Sequence, residues 1–542
     1  MKPPHSWKTR LSFITRDRRW LATTAVMMMS AGYAVACAIV WQPGSTGENS
    51  LRHRLQEQLL ELPATSENGD RELALWLHDV TNDMPALAEM LEMERPALNG
   101  YLASGRLWDM PVKAAIQKHA GPLDQQGLFH DYIVARLDDI QGEAGRAAWK
   151  RLEAAAARVP PAPLANEFLG YLLDAADMPM EALHAFQREA AMPDATHARE
   201  YALELAIDLE ERAALREMLN SPLYQNEVAG WLETEAGVVL GDLLMQWRGI
   251  IRSQWQSAEL HVSLIALLAA LLWYSVFVRC GLREPWRWVR PLPALLLGVL
   301  SVWPTLLILH YQESNLGLTG EGGFPHDLIY YLLGVGLREE LAKLLLFALL
   351  LPRLLKKRSG AAALLSGAFL GLGFALEENT GYYQSEGFGA AAARLLTANF
   401  MHAGWTALAG HALYEMVRTR FARAEHFLLT FVGVVVAHGL YDWVLVAGDS
   451  LPAIGDLSLI SIFILALLAH RFFDQLGSLV RPSRSIVSLL CIFVLGTSLL
   501  IALSFIIEAF VMRDLLAVNA VGAGALGLAP IAVFYIRKFG EL

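Results

Sequence analysis

Cysteine is nearly absent from this chain. Its three cysteines, Cys37, Cys280 and Cys491, each lie in or beside an apolar run, which excludes a disulfide framework and a cysteine-based zinc site. Charge is also scarce: 18% of residues are Asp, Glu, Lys or Arg against 54% hydrophobic, and mean hydropathy is +0.35. A soluble multidomain protein of 542 residues does not have that balance, whereas a polytopic membrane protein does. No HExxH occurs, so the commonest helical zinc-peptidase signature is missing.

The charge that remains is unevenly placed. Residues 42–258 hold 34 of the 54 acidic residues and 18 of the 44 basic ones, leaving 20 acidic and 26 basic elsewhere. This fits an acidic aqueous domain joined to a membrane part with cationic loops, and it excludes a nucleic-acid-binding class.

Residues 1–19 form a basic cytoplasmic N-terminus, and residues 20–41, bracketed by Trp20 and Trp41, read as a transmembrane anchor that is retained. The alternative, a cleaved signal peptide, would use the AVAC run at 34–37, which lacks the usual leucine and is followed by further apolar residues. Residues 42–258 are expected to be an extracytoplasmic α-helical domain, rich in Ala, Leu and Glu, with turn signals at Val159-Pro160-Pro161 and Ser221-Pro222. Leu169-Gly170, Leu173, Ala182, Phe186 and Ala190 resemble one tetratricopeptide-type hairpin, in which small residues admit a close neighbour and Phe186 fills the groove.

Nine further spans are expected, at about 259–278, 291–310, 328–350, 360–383, 392–416, 427–447, 453–470, 485–508 and 515–536. Alternate loops carry the arginines and lysines: Arg279, Arg283, Arg287 and Arg290; Arg353, Lys356, Lys357 and Arg358; Arg418, Arg420 and Arg423; Arg471, Arg481 and Arg484; Arg537 and Lys538. The intervening loops, 384–391 among them, hold one basic residue, Arg513. The positive-inside rule then gives an all-α, polytopic bundle of about ten spans with both termini cytoplasmic, in a bacterial inner membrane. Its parts are two spans in 259–327, a four-span core at 328–447 and three spans in 448–542.

Polar residues interrupt the four core spans. GLREELAK at 336–343 places Glu339, Glu340 and Lys343 at membrane depth, and GFALEEN at 373–379 ends in Glu377, Glu378 and Asn379. His402 lies mid-span, and His438 and Asp442 are four residues apart. A carboxylate at the bilayer centre costs about 2.5 kcal/mol or more, so such residues indicate function. Lys343 stacks on Glu339, whereas Glu340 points about 100° away, which predicts different jobs for the two glutamates. Counted from the outer ends, Glu339 lies roughly 17 Å deep, His402 and His438 roughly 15 Å, and Glu378 only roughly 9 Å. Gly367 and Gly371 have the GxxxG spacing that lets helices approach closely. Carboxylates and imidazoles gathered in this way suit hydrolysis, and they also suit a proton-coupled transporter. A non-catalytic scaffold presenting the helical domain is the third alternative.

The ordered set Glu339-Glu340-x-x-Lys343, GFALEEN, His402 in HAGWTALAGHAL and HGLYD at 438–442 resembles the PrsW family of intramembrane proteases, related to the CAAX-protease and bacteriocin-processing superfamily. The resemblance spans about 328–445. It implies a membrane peptidase acting on membrane-anchored protein substrates, in some bacteria within regulated proteolysis. It assigns Glu339 and Glu340 as suppliers of the water-activating carboxylate, and Glu378, His402 and His438 as metal ligands or transition-state donors. Asp442 stands where the superfamily closes its motif with Asn or Asp. A Glu/His set is acceptable to Zn2+, and a metal-free glutamate mechanism stays open beside it. The resemblance does not reach residues 42–258, whose expected role is to bind a protein partner.

Overall fold

The computed structural model describes residues 7–41, 128, 131–132, 135 and 142–541, less the short stretches 193–194, 225–227, 258–259, 282–287, 321, 451–456, 481–485 and 512–514. The expected helices of 42–127 and the loop residues Arg283, Arg287, Arg481, Arg484 and Arg513 lie outside the described residues. All regular elements among the described residues are helical. The chain divides into two compact units, Pro43–Gln256 and Met1–Gln42 with Ser257–Leu542.

In the first unit, helices Ala165–Ala175 and Pro179–Ala190 form an antiparallel pair. Gly170 faces the Phe186 ring with no room for a methyl group, and that ring packs against Tyr171 and Tyr201 at centroid distances of 5.2 and 5.4 Å. Glu189 reaches across the pair and accepts hydrogen bonds from the backbone N–H groups of Leu164 (2.6 Å) and Asn166 (3.1 Å). It thereby satisfies donors that every helix start leaves open. Its burial raises the carboxyl pKa above the usual carboxylate range.

The second unit contains α1 (Arg18–Val40), α2 (Leu260–Gly281), α3 (Leu292–Leu316), α4 (Leu337–Ala348), α5 (Gly360–Leu396), α6 (Ala398–Arg418), α7 (Ala424–Ser450), α8 (Ser458–Leu479), α9 (Leu489–Val511), α10 (Leu515–Gly527) and α11 (Ala529–Glu541). Seven of these, α1, α2, α3, α5, α7, α8 and α9, are long and apolar enough to cross a membrane. The pair α10 and α11, bent by 52° at a short break, makes an eighth if taken as one span. The two other expected spans, 328–350 and 392–416, fall short for a physical reason: they carry the polar residues. The first is divided into the short helix His326–Ile329, a π-helical turn at Tyr330–Gly336 and the 12-residue α4. The second is α6, where Asn399, His402, Thr406 and Glu415 replace apolar side chains.

Helix α5 is central and packs against α2, α3, α6 and α10. Its Gly371 lies directly on the His402 carbonyl and its Gly367 on that of Thr406, so the GxxxG face brings α5 and α6 into backbone contact. The loop expected at 384–391 is instead helical, and α5 continues to Leu396 through the alanine run 390–393, whose helix propensity is high. At the Leu396–Ala398 break the last carbonyls of α5 lose their helical partners. Trp273 of α2 donates its indole N–H to the Leu395 carbonyl (2.7 Å), and Tyr535 of α11 donates its hydroxyl to that of Leu396 (3.3 Å). These aromatic donors fix where α6 begins, and so the height of His402.

Gly371→Leu is expected to destabilise the membrane unit by about 1–3 kcal/mol through overpacking. Gly381→Ala, where an added methyl meets nothing within 4 Å, should be neutral. Thermal unfolding in detergent checks the pair, and equal effects would contradict the packing described.

Candidate active site

Helix α4 leaves the π-helical turn at Gly336, whose Cα is seated against the Val435 carbonyl and Gly439 of α7. Gly439 in turn is packed on the Tyr331 carbonyl, so the π-turn that leads into α4 meets α7 backbone to backbone. Such π-turns are uncommon and concentrate at functional sites. Arg338 points back toward α3, donating to the Gln312 side chain at 2.9 Å. Glu339, Glu340 and Lys343 are left facing α5, α6 and α7.

Lys343 is fully buried and central. Its Nζ donates to Glu340 Oε1 at 2.9 Å and to Glu339 Oε2 at 3.2 Å, and it lies 2.8 Å from His402 Nδ1 and 3.8 Å from the centre of the Phe374 ring. Both glutamates therefore share one cation, although only Glu339 was expected to stack on Lys343. Residues three and four apart both lie beside a helical side chain, and the flexible lysine stem spans the two. They also share an imidazole: Glu340 Oε1 is 2.9 Å from His438 Nδ1, and Glu339 Oε2 is 3.6 Å from His438 Nε2. Asp442 Oδ2 lies 3.3 Å from the same Nε2, where the four-residue spacing places it. The Trp405 ring stacks on His438 with centroids 4.7 Å apart.

His402 joins this half of the site to the other. Its Nε2 is 2.8 Å from Glu378 Oε2, which also accepts from Arg394 Nη2 at 2.6 Å. Asn379 Oδ1 accepts from Arg394 Nε at 2.7 Å, and the guanidinium lies 3.7 Å from the centre of the Tyr382 ring. Glu378, not Glu377, is thus the member of the doublet in the site. Its shallower position along the sequence is no obstacle, since it meets His402 directly.

The protonation pattern of the imidazoles follows from their partners. An ammonium only donates, so His402 Nδ1 accepts from Lys343 and the ring proton sits on Nε2, donated to Glu378. A carboxylate only accepts, so His438 Nδ1 carries a proton toward Glu340, and Nε2 likewise faces the Asp442 carboxylate as a donor.

Among the described residues, the group able to hold a metal ion is Glu339, His402 and His438, with ligand atoms all within 4.8 Å of one another. Glu378, expected in that set, is engaged by Arg394 instead. The donor types suit zinc, but the arrangement does not. Both nitrogens of His402 are committed, and Lys343 holds Glu339 Oε2 and His402 Nδ1.

Residues 284–470 match the model of the PrsW family intramembrane metalloproteases. The PrsW resemblance read from the motifs is borne out over that segment, which contains every site residue named here and about a third of the chain. It supports an intramembrane peptidase. No curated protein and no solved structure matches the chain.

Two contributors were missed in the sequence. Arg394 sits in a stretch that composition alone assigns to the start of a span, sixteen residues from Glu378. A straight helix would separate the two by roughly 24 Å, so the helical path turns back between them. Trp405 was visible within HAGWTALAGHAL, but nothing in the spacing showed that it would cover His438.

Arg394→Met leaves Glu378 without its cation and should cost about 1–3 kcal/mol after allowance for its partial exposure. Adding Glu378→Gln should recover most of the loss, giving a coupling energy in a double-mutant cycle of unfolding. Additive losses would contradict the pairing.

Proposed function

We propose that this protein hydrolyses a peptide bond of membrane-anchored protein substrates inside the bilayer. The observation that carries this reading is the carboxylate pair Glu339 and Glu340 lying 3.6 and 2.9 Å from the two nitrogens of a single buried imidazole, His438. A general base needs access to water, and Glu339 retains a little exposure while Glu340 has none. Glu339 is accordingly the base that takes a proton from the attacking water. The hydroxide adds to the scissile carbonyl carbon, and the proton passes from Glu339 to the departing amide nitrogen as the C–N bond breaks. Glu340 holds the His438 proton at Nδ1, and Asp442 helps fix the ring. The Lys343 ammonium and the imidazoles, preorganised in a water-poor site, offset the charge that develops on the carbonyl oxygen.

The larger setting follows from the loop charges. Ten spans, counting the two polar segments, keep both termini cytoplasmic in a bacterial inner membrane, and residues 42–258 then lie outside the cytoplasm. That domain would select or bind a protein partner through surfaces that include its tetratricopeptide-like hairpin, in keeping with a role in regulated proteolysis.

Glu339→Ala, Glu340→Ala and His438→Ala should each lower cleavage per folded molecule by at least about a hundredfold, within the range of a lost general base. Comparison of membrane proteomes from a wild-type and a Glu340→Ala strain should show full-length single-span proteins accumulating in the variant. If all three variants still cut, the peptidase assignment of this site is wrong.

A further inference from the structure

The site carries four carboxylates, Glu339, Glu340, Glu378 and Asp442, and two permanent cations, Lys343 and Arg394. Arg394 serves the outer pair of Glu378 and Asn379. Among the described residues, Lys343 is the permanent cation of the inner group. Its Nζ contacts two of the three residues able to hold a metal, Glu339 and His402, and it does so through the same Glu339 Oε2 that faces His438.

A metal ion has two routes to His402, and both are blocked. Ligation through Nδ1 requires the ammonium to leave, because an ammonium and a divalent cation cannot share that lone pair. Ligation through Nε2 requires that nitrogen to give up its proton and its bond to Glu378 Oε2, an oxygen also held by Arg394. The ammonium is enclosed where it stands. Phe374 covers it on one side, and Glu340, its nearest carboxylate, is wholly buried.

We infer that Lys343 is the resident cation of this centre and excludes zinc from the position that Glu339, His402 and His438 would otherwise offer. The inference bears on the proposed peptidase site but needs no cleavage to be tested. Its readout is metal binding, whereas the peptidase reading stands or falls on the Glu340 and His438 variants.

Full-length protein purified in lipid nanodiscs from zinc-supplemented cells, without chelator, should carry far less than one zinc per chain by elemental analysis. Titration with Zn2+ against a chromophoric chelator should show no tight site. Lys343→Met removes the competitor and should bind Zn2+ at least about tenfold more tightly, with a zinc-dependent rise in melting temperature. If Lys343→Met folds poorly because Glu339 and Glu340 lose their cation, added zinc should restore it. Glu339→Gln combined with Lys343→Met removes one charge of each sign and one candidate donor, and should fold yet bind zinc no better than wild type. Stoichiometric zinc in the wild type would overturn the inference, as would a Lys343→Met protein whose zinc affinity and zinc-dependent stability are unchanged.

Discussion

Burying the Lys343 ammonium within an apolar bundle is the constraint on which the rest of the membrane unit depends. A charge removed from water costs several kcal/mol even after relaxation, and only well-placed opposite charge and hydrogen bonds offset it. Glu339, Glu340 and His402 supply these from two helices, and the Phe374 face adds a cation–π contact. The two carboxylates are in turn buried at a cost that the lysine offsets. No member of the group is tolerable alone, so helices α4 and α6 must assemble together.

The backbone contacts serve that assembly. Gly371 under the His402 carbonyl and Gly439 against Tyr331 bring α5 onto α6 and α7 onto the π-turn, closer than any side chain would permit. Within membranes, where lipid tails compete with apolar side chains, such close packing supplies much of the helix association. Trp273 and Tyr535 then satisfy the carbonyls at the end of α5, so the chain can break and restart at α6 at the height where His402 meets Lys343. The site and the core are held by the same few approaches.

The polar residues were legible in the sequence because the surrounding segments are so apolar that each ionisable group stood out. The pairing of His438 with Asp442 and of Lys343 with Glu339 followed from four-residue spacing. What spacing did not reveal was tertiary. Lys343 reaching Glu340 as well as Glu339, His402 bridging to Glu378, and Arg394 returning to Glu378 after sixteen residues all depend on how helices turn and cross. Length and apolarity single out seven of the expected spans, or eight with the bent pair, because the two segments that carry the chemistry are broken by a π-turn or interrupted by polar residues. The exchange of Glu378 for Glu339 in the metal-capable group has the same origin: it is decided by Arg394, whose partner no local pattern identifies.

The central claim is that a protein cation, held by Glu339, Glu340 and His402, organises the site. High-resolution cryo-electron microscopy of zinc-supplemented full-length protein in a nanodisc tests it most directly. Continuous Lys343 side-chain density ending between Glu340 and His402 is the expected result. An isolated strong peak coordinated by Glu339, His402 and His438, with the Lys343 side chain turned away, would contradict it.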